Sequence, residues 1–160
     1  MMRPEEKRAL FRELEGRVNA ITEGPLDANG KMAAVCRLLA DSVDYYDWVG
    51  FYLVNPNRDR ELVLGPFVGD PTEHVNIQFG EGICGQSAET KRIFVVQNVC
   101  EMTNYLSCSP KVQSEIVVPI LRGEEFLGEL DIDSHELGPF SAEDEEFLQG
   151  ICRALAPLLQ

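Results

Sequence analysis

The run "SEIVVPILRGEEFLGELDIDS", Ser114 to Ser134, decides the fold. Two apolar, β-branched stretches flank the polar turn "RGEE", so the segment reads as a β-hairpin. In its second strand Phe126, Gly128, Leu130 and Ile132 alternate with Leu127, Glu129, Asp131 and Asp133. The first set is predicted to enter the core and the second to face the other way. That acidic face is either solvated surface or, at its lower end, the lining of a pocket. Glu115 begins the partner strand and is predicted to approach Asp131 across the ladder. Carboxylates gathered in a partly desolvated pocket cannot all ionise easily. One then keeps its proton near neutrality and can act as a general acid.

Upstream, "WVGFYLV" sets Val49, Phe51 and Leu53 against Trp48, Gly50 and Tyr52, again with strand period. Trp48 and Tyr52 thus lie on one face, as the wall of a pocket or as packing beneath a loop. "ELVLGPFVG" continues the sheet after the turn "NPNRDR". "HVNIQF" is predicted to put Val75, Ile77 and Phe79 on one face, and "RIFVVQNV" forms a further strand. Between these two lies a short helix through "CGQSAET", followed after the second by a polar loop over residues 100 to 114. Helical spacing occurs at Leu10, Phe11, Leu14, Val18 and Ile21, then at Met32, Val35, Cys36, Leu39 and Val43 after Asp27. Ser141 is predicted to cap a last helix carrying Phe147, Leu148, Ile151, Leu155 and Leu158. The order implies an α+β layer: about six mostly antiparallel strands, with N- and C-terminal helices on one sheet face. No repeat or linker interrupts it, and residues 1–160 are expected to form a single domain.

The chain holds 27 Asp and Glu against 14 Lys and Arg, a formal charge of −13. That field repels phosphate backbones and anionic membranes, which argues against nucleic-acid and membrane partners. The N-terminal "MMRPEEKRALFRELEGRV" has no apolar core of a secretory signal, and no run approaches a membrane span. A cytoplasmic, reducing location is expected.

Five cysteines, at 36, 84, 100, 108 and 152, form no CxxC pair, and there are only two histidines, His74 and His135. Neither a disulfide framework nor a metal centre is expected from such spacing, and no cofactor is implied. Cys36 lies on a helical apolar stripe and Cys152 beside another, so both read as packing residues. Cys84, in "GEGICG", is either a small buried residue behind a glycine turn or a thiolate favoured by a helix N-terminus. Cys100 ends a strand and is open to either reading. Cys108, in a polar loop seven residues before Glu115, is where an inert core cysteine is least expected.

Taken together, "WVGFYL", "LVLGPFVG", "GEGICG", "SEIVVPI" and "LGELDIDS" resemble the free methionine-(R)-sulfoxide reductases, a family of GAF domains. The resemblance implies a GAF-like fold and reduction of free L-methionine (R)-S-oxide to methionine, with recycling by thioredoxin and a possible homodimer. It implies that Cys108 is the nucleophile, which forms a sulfenic acid and then a disulfide. Cys84 matches the cysteine of the family's "GVCG". Glu115, Asp131 and Asp133 match pocket carboxylates that bind and protonate substrate, and Trp48 and Tyr52 match the aromatics beside its methyl group. Where the family usually has a third cysteine, ten residues before Cys84, this chain has His74, and Cys100 stands in "NVC" where the family has "DVH". Cys84 or Cys100 is therefore the candidate resolving thiol. The competing expectation is a GAF domain that binds a small molecule, or senses redox state through its thiols, without turnover.

Overall fold

The computed structural model describes residues 1–106 and 110–159. Its elements run α1 (Pro4–Glu23), α2 (Ala28–Ser42), β1 (Trp48–Val54), β2 (Glu61–Val68), β3 (Asn76–Gln78), α3 (Gly82–Thr90), β4 (Phe94–Val96), β5 (Ser114–Arg122), β6 (Glu125–Ser134) and α4 (Ala142–Leu155). The strands form one six-stranded sheet in the order β3-β2-β1-β6-β5-β4. Every pairing in it is antiparallel. This is the α+β arrangement expected from the sequence.

Helices α1, α2 and α4 cover one face. Phe11, Leu14, Met32, Val35, Leu39, Phe147, Leu148 and Ile151 pack there on Val49, Phe51, Ile116, Leu130 and Ile132. The caps are those the sequence signalled. Asp27 accepts a hydrogen bond from the Gly30 N–H at 2.8 Å, and Asp144 accepts one from the Ser141 N–H at 2.9 Å. On the opposite face α3 packs over β5 and β6, enclosing Trp48, Tyr52, Ile83, Cys84 and Val117.

Two strand expectations need correction. In β6 the pairing passes from Ile120–Gly128 to Leu121–Phe126, leaving Leu127 as an extra residue. This bulge reverses the alternation at its outer end. Leu127 enters the helix-side core and Phe126 turns to the α3 side. Strand β3 is also shorter than its apolar pattern, pairing with β2 only from Asn76 to Gln78. Of the three residues expected on its inner face, Ile77 is buried, Phe79 is partly buried, and Val75 is 47% exposed at the sheet edge.

A buried polar knot joins the two ends of the chain. The Lys7 ammonium, 3% exposed, meets Asp144 at 2.6 Å and donates to the Pro139 carbonyl at 2.7 Å. Asp144 also accepts from the Tyr45 and Tyr46 hydroxyls, each at 2.7 Å. Burial, reinforced by the Asp144 carboxylate, pushes both phenols up and keeps them protonated. Removing one member strands the others in a dry site. Asp144→Ala is expected to lower stability by about 3–5 kcal/mol, read as a fall in the urea midpoint at unchanged m-value. A loss below about 1 kcal/mol, the level of an exposed pair, would show the knot to be dispensable.

Candidate active site

The uncovered end of the sheet carries four buried acids. Glu129 is 0% exposed, Asp131 and Asp133 are each 1%, and Glu115 is 4%. Strand pairing sets their order. Glu115 on β5 stands directly opposite Asp133, while Asp131 pairs with Val117 on one side and Gly50 on the other. Glu115 therefore approaches Asp131 on the diagonal, which a long side chain spans.

Cys84 lies in the first turn of α3, directly above these acids. Its Sγ is 3.9 Å from Glu115 Oε2. The Cys84 sulfur and one oxygen each from Glu115 and Asp131 all lie within 4.8 Å of one another. Of the two readings open for Cys84, this environment favours the small buried thiol over the helix-stabilised thiolate. Desolvation first, and then the Asp131, Glu129 and Glu115 carboxylates, push the Cys84 thiol well above its ordinary value. A helix terminus contributes less than complete burial beside several acids. Resting Cys84 is a thiol.

The acids are shifted upward too. Burial raises Asp131, offset in part by its hydrogen bonds with Glu115 and Cys84. Burial and the Asp131 charge raise Glu129 well above the usual carboxylate range, and the Cys84 thiol eases it only partly. Among the described residues no N–H or O–H donor reaches either oxygen of Glu129, or Oδ1 of Asp131. Burial thus shifts both carboxyls toward their protonated forms.

Trp48 and Tyr52 share this face. Their rings stack with centroids 6.4 Å apart, and Trp48 stacks on Phe67 at 5.5 Å. The indole N–H donates to the Asp70 carbonyl at 3.0 Å, and the Tyr52 hydroxyl donates to the His74 carbonyl at 2.8 Å. Gly50 makes room for the indole, since a Cβ there would lie 2.4 Å from Trp48 Cη2.

Two cavities flank this row. One, of about 10 Å³, is lined by Tyr52, His74, Cys84, Leu106, Glu115 and Asp131 among others. A second, of about 200 Å³, is lined by Trp48, Asp70, Lys111, Asp133 and His135 among others. Cys84, Glu115, Asp131, Asp133, Trp48 and Tyr52 thus share one face but are divided between two spaces.

Cys100 is exposed, lies in a short turn, Val99–Glu101, and is not among the described residues lining either cavity. Cys108, the expected nucleophile, lies outside the described residues. Cys36 and Cys152 are core thiols, as predicted. Burial pushes Cys36 up to about 12 and Cys152 higher. Sequence reading had placed Glu129 on the acidic face without assigning it a role, although its step of two from Asp131 put it in the same row. His74, which stands at the family's third-cysteine position, reaches the Cys84 cavity through the turn between β2 and β3.

The model of the GAF domain family matches residues 31–159. The free methionine-R-sulfoxide reductase of Escherichia coli strain K12 is 31% identical over 153 residues, covering 96% of this chain and 90% of that protein. The chain belongs to this GAF-domain reductase family. A structure of the free methionine-R-sulfoxide reductase from Neisseria meningitidis in complex with its substrate superposes on this GAF domain with a TM-score of 0.90. It is 32% identical and the match covers 99% of this chain and 93% of that one. The type II enzyme from Thermoplasma acidophilum gives a TM-score of 0.77 at 41% identity, over 82% and 91% of the two chains.

The buried acid of this GAF domain has a measurable signature. Glu129 retains in the folded state a proton that an unfolded chain releases above about pH 4.3. Its contribution to stability is therefore full below that pH and is lost as pH rises through the folded value. The limiting slope is about 1.4 kcal/mol per pH unit per retained proton. Urea midpoints measured from pH 5 to 8 should fall for the wild type and fall less for Glu129→Gln, which should be the more stable protein at pH 8. Identical slopes for the two would show that Glu129 titrates normally.

Proposed function

We propose that this domain reduces free L-methionine (R)-S-oxide to methionine. The observation that carries the reading is the convergence of Cys84, Glu115 and Asp131 in one buried cluster beside Asp133, Trp48 and Tyr52. Those are the residues that the family resemblance selected independently. The cavity beside Trp48 and Asp133 is of a size for a small amino acid, and Asp133 supplies an anion for its ammonium group. The space beside Cys84 holds about one water.

In this mechanism Cys108 attacks the sulfoxide sulfur as a thiolate. A protonated pocket carboxyl, Asp131 or Glu115, gives its proton to the sulfoxide oxygen, which leaves poorly as an anion. The protonated oxygen passes from the substrate sulfur to the Cys108 sulfur as the S–O bond of the substrate breaks, and the transient bond between the two sulfurs breaks with its electron pair going to the substrate, which departs as a thioether. Cys108 is left as a sulfenic acid, so the cysteine is oxidised by two electrons and the sulfoxide is reduced by two. A second thiol then displaces that oxygen as water and forms a disulfide, which thioredoxin reduces with its own two thiols in the cytoplasm. Cys84 is the first candidate for the second thiol and Cys100 the next. The substrate ammonium neutralises a carboxylate on binding and so favours thiolate formation.

Methionine formation from the free (R)-sulfoxide with dithiothreitol tests the reaction. Cys108→Ser should abolish it, while Cys84→Ser and Cys100→Ser should each keep first-turnover chemistry. Asp131→Asn should lower kcat/KM by about a hundredfold or more, the scale of a general acid, and a peptide-bound sulfoxide should react poorly. First-turnover methionine from Cys108→Ser would displace the nucleophile. A wild-type protein that makes none would leave a small-molecule-binding GAF domain instead.

The resolving step separates by mass mapping after one oxidising turnover, without reduction. A Cys84–Cys108 bridge is expected, and a Cys100–Cys108 bridge would reverse the order. In the resting protein iodoacetamide should label exposed Cys100 far faster than buried Cys84.

A further inference from the structure

We propose that the cluster of Cys84, Glu115 and Asp131 binds a thiophilic divalent cation of the Zn²⁺ class, and that the bound ion blocks the site. The consequence for turnover rests on the reductase reading above, whereas the binding itself does not. Three elements supply the donors. Cys84 comes from α3, Glu115 from β5 and Asp131 from β6, and their ligand atoms lie within 4.8 Å of one another. Ligands on a tetrahedral zinc ion stand roughly 3.3–3.8 Å apart, given bonds of about 2.0–2.3 Å. Side-chain adjustment of about 1 Å would close the set.

Asp131 adds a second, independent observation. Asp131 is 1% exposed, lines the cavity, and its Oδ1 has no hydrogen-bond partner among the described residues. Glu129, two residues along the same face, is fully buried, and among the described residues no N–H or O–H donor reaches its oxygens. No Lys or Arg lies among the described residues lining this cavity. A buried acid whose oxygen no donor reaches favours a cation, because the ion replaces the lost hydration of that oxygen.

The donor set selects the metal. One sulfur with two carboxylate oxygens suits zinc, which accepts sulfur and oxygen together at four-coordinate sites. Magnesium and calcium favour six or more oxygen ligands and gain little from a thiolate. The cavity volume of about 10 Å³ admits a single small ion or water. A fourth position is left to water, the open arrangement of a zinc site with three protein ligands. An ion held there occupies Cys84 and two of the pocket carboxylates, so neither thiol exchange nor proton transfer through them can proceed.

The test uses the full chain, reduced with a phosphine, and zinc chloride in competition with a chromogenic chelator. Wild type should bind one zinc per chain and show a raised melting temperature. Cys84→Ser and Asp131→Asn should each weaken binding by about tenfold or more, a difference of about 1.4 kcal/mol. Cys100→Ser and His135→Ala, outside the cavity, should bind as wild type. Methionine formation should fall as zinc is added and return with a chelator. Failure to bind zinc at micromolar concentration overturns the proposal, as does full affinity in both cavity variants. Zinc binding that maps to Cys84 and Asp131 in a protein without sulfoxide reduction would uphold the site and remove the reductase reading.

Discussion

The structure turns on keeping carboxylates dry. Glu115, Glu129, Asp131 and Asp133 are withdrawn from water on one face of β5 and β6, and desolvation pushes Glu129 and Asp131 toward their neutral forms. The strand ladder makes this possible, because antiparallel pairing sets Glu115 opposite Asp133 and holds Asp131 and Glu129 in the same row. On the other face of the same strands Ile116, Val118, Leu130 and Ile132 are buried beneath three helices. Burial of that apolar face offsets the cost of the acids, at roughly 25 cal/mol per Å² removed from water. One sheet thus spends a conventional core on one side to sustain an unconventional one on the other.

Close packing over the acids depends on glycine at two points of approach. A Cβ at Gly85 would lie 2.5 Å from the Gln78 carbonyl oxygen, so α3 settles against the end of β3 only because that side chain is absent. This brings Cys84 down to the carboxylates. At Gly50 the missing Cβ lets the Trp48 indole lie across the strand toward Phe67. The sequence motifs "GEGICG" and "WVGFYL" therefore encode two distances, one from thiol to acid and one from ring to sheet.

The thiols divide by surroundings. Cys36 and Cys152 are enclosed among apolar side chains, with sulfurs 3.6 Å from the Pro66 and Val118 carbonyl oxygens respectively. Burial keeps them protonated and out of reach. Cys84 is as buried, but its neighbours are acids that hydrogen-bond with it. Any event that neutralises those acids, whether a substrate ammonium or a metal ion, changes that thiol first. Its reactivity is conditional.

Periodicity alone determined much of this protein. The helical stripes gave the covered face, the step-of-two alternation gave β1, β5 and most of β6, and "LDIDS" placed Asp131 and Asp133 together. These features are local, so sequence carries them directly. Tertiary structure decided what depends on distant segments meeting. The bulge at Leu127 exchanged the sides of Phe126 and Leu127, because register is a property of two strands. Cys84 became a thiol with a raised pKa, because a helix N-terminus is visible in sequence whereas three carboxylates folding beneath it are not. His74 joined the Cys84 cavity through a turn whose path no local pattern predicts. Spacing along the chain argued against a metal centre, yet three strand and helix ends brought Cys84, Glu115 and Asp131 within 4.8 Å. Ligand geometry depends on separation in space, and residues 84, 115 and 131 acquire that only when the sheet closes.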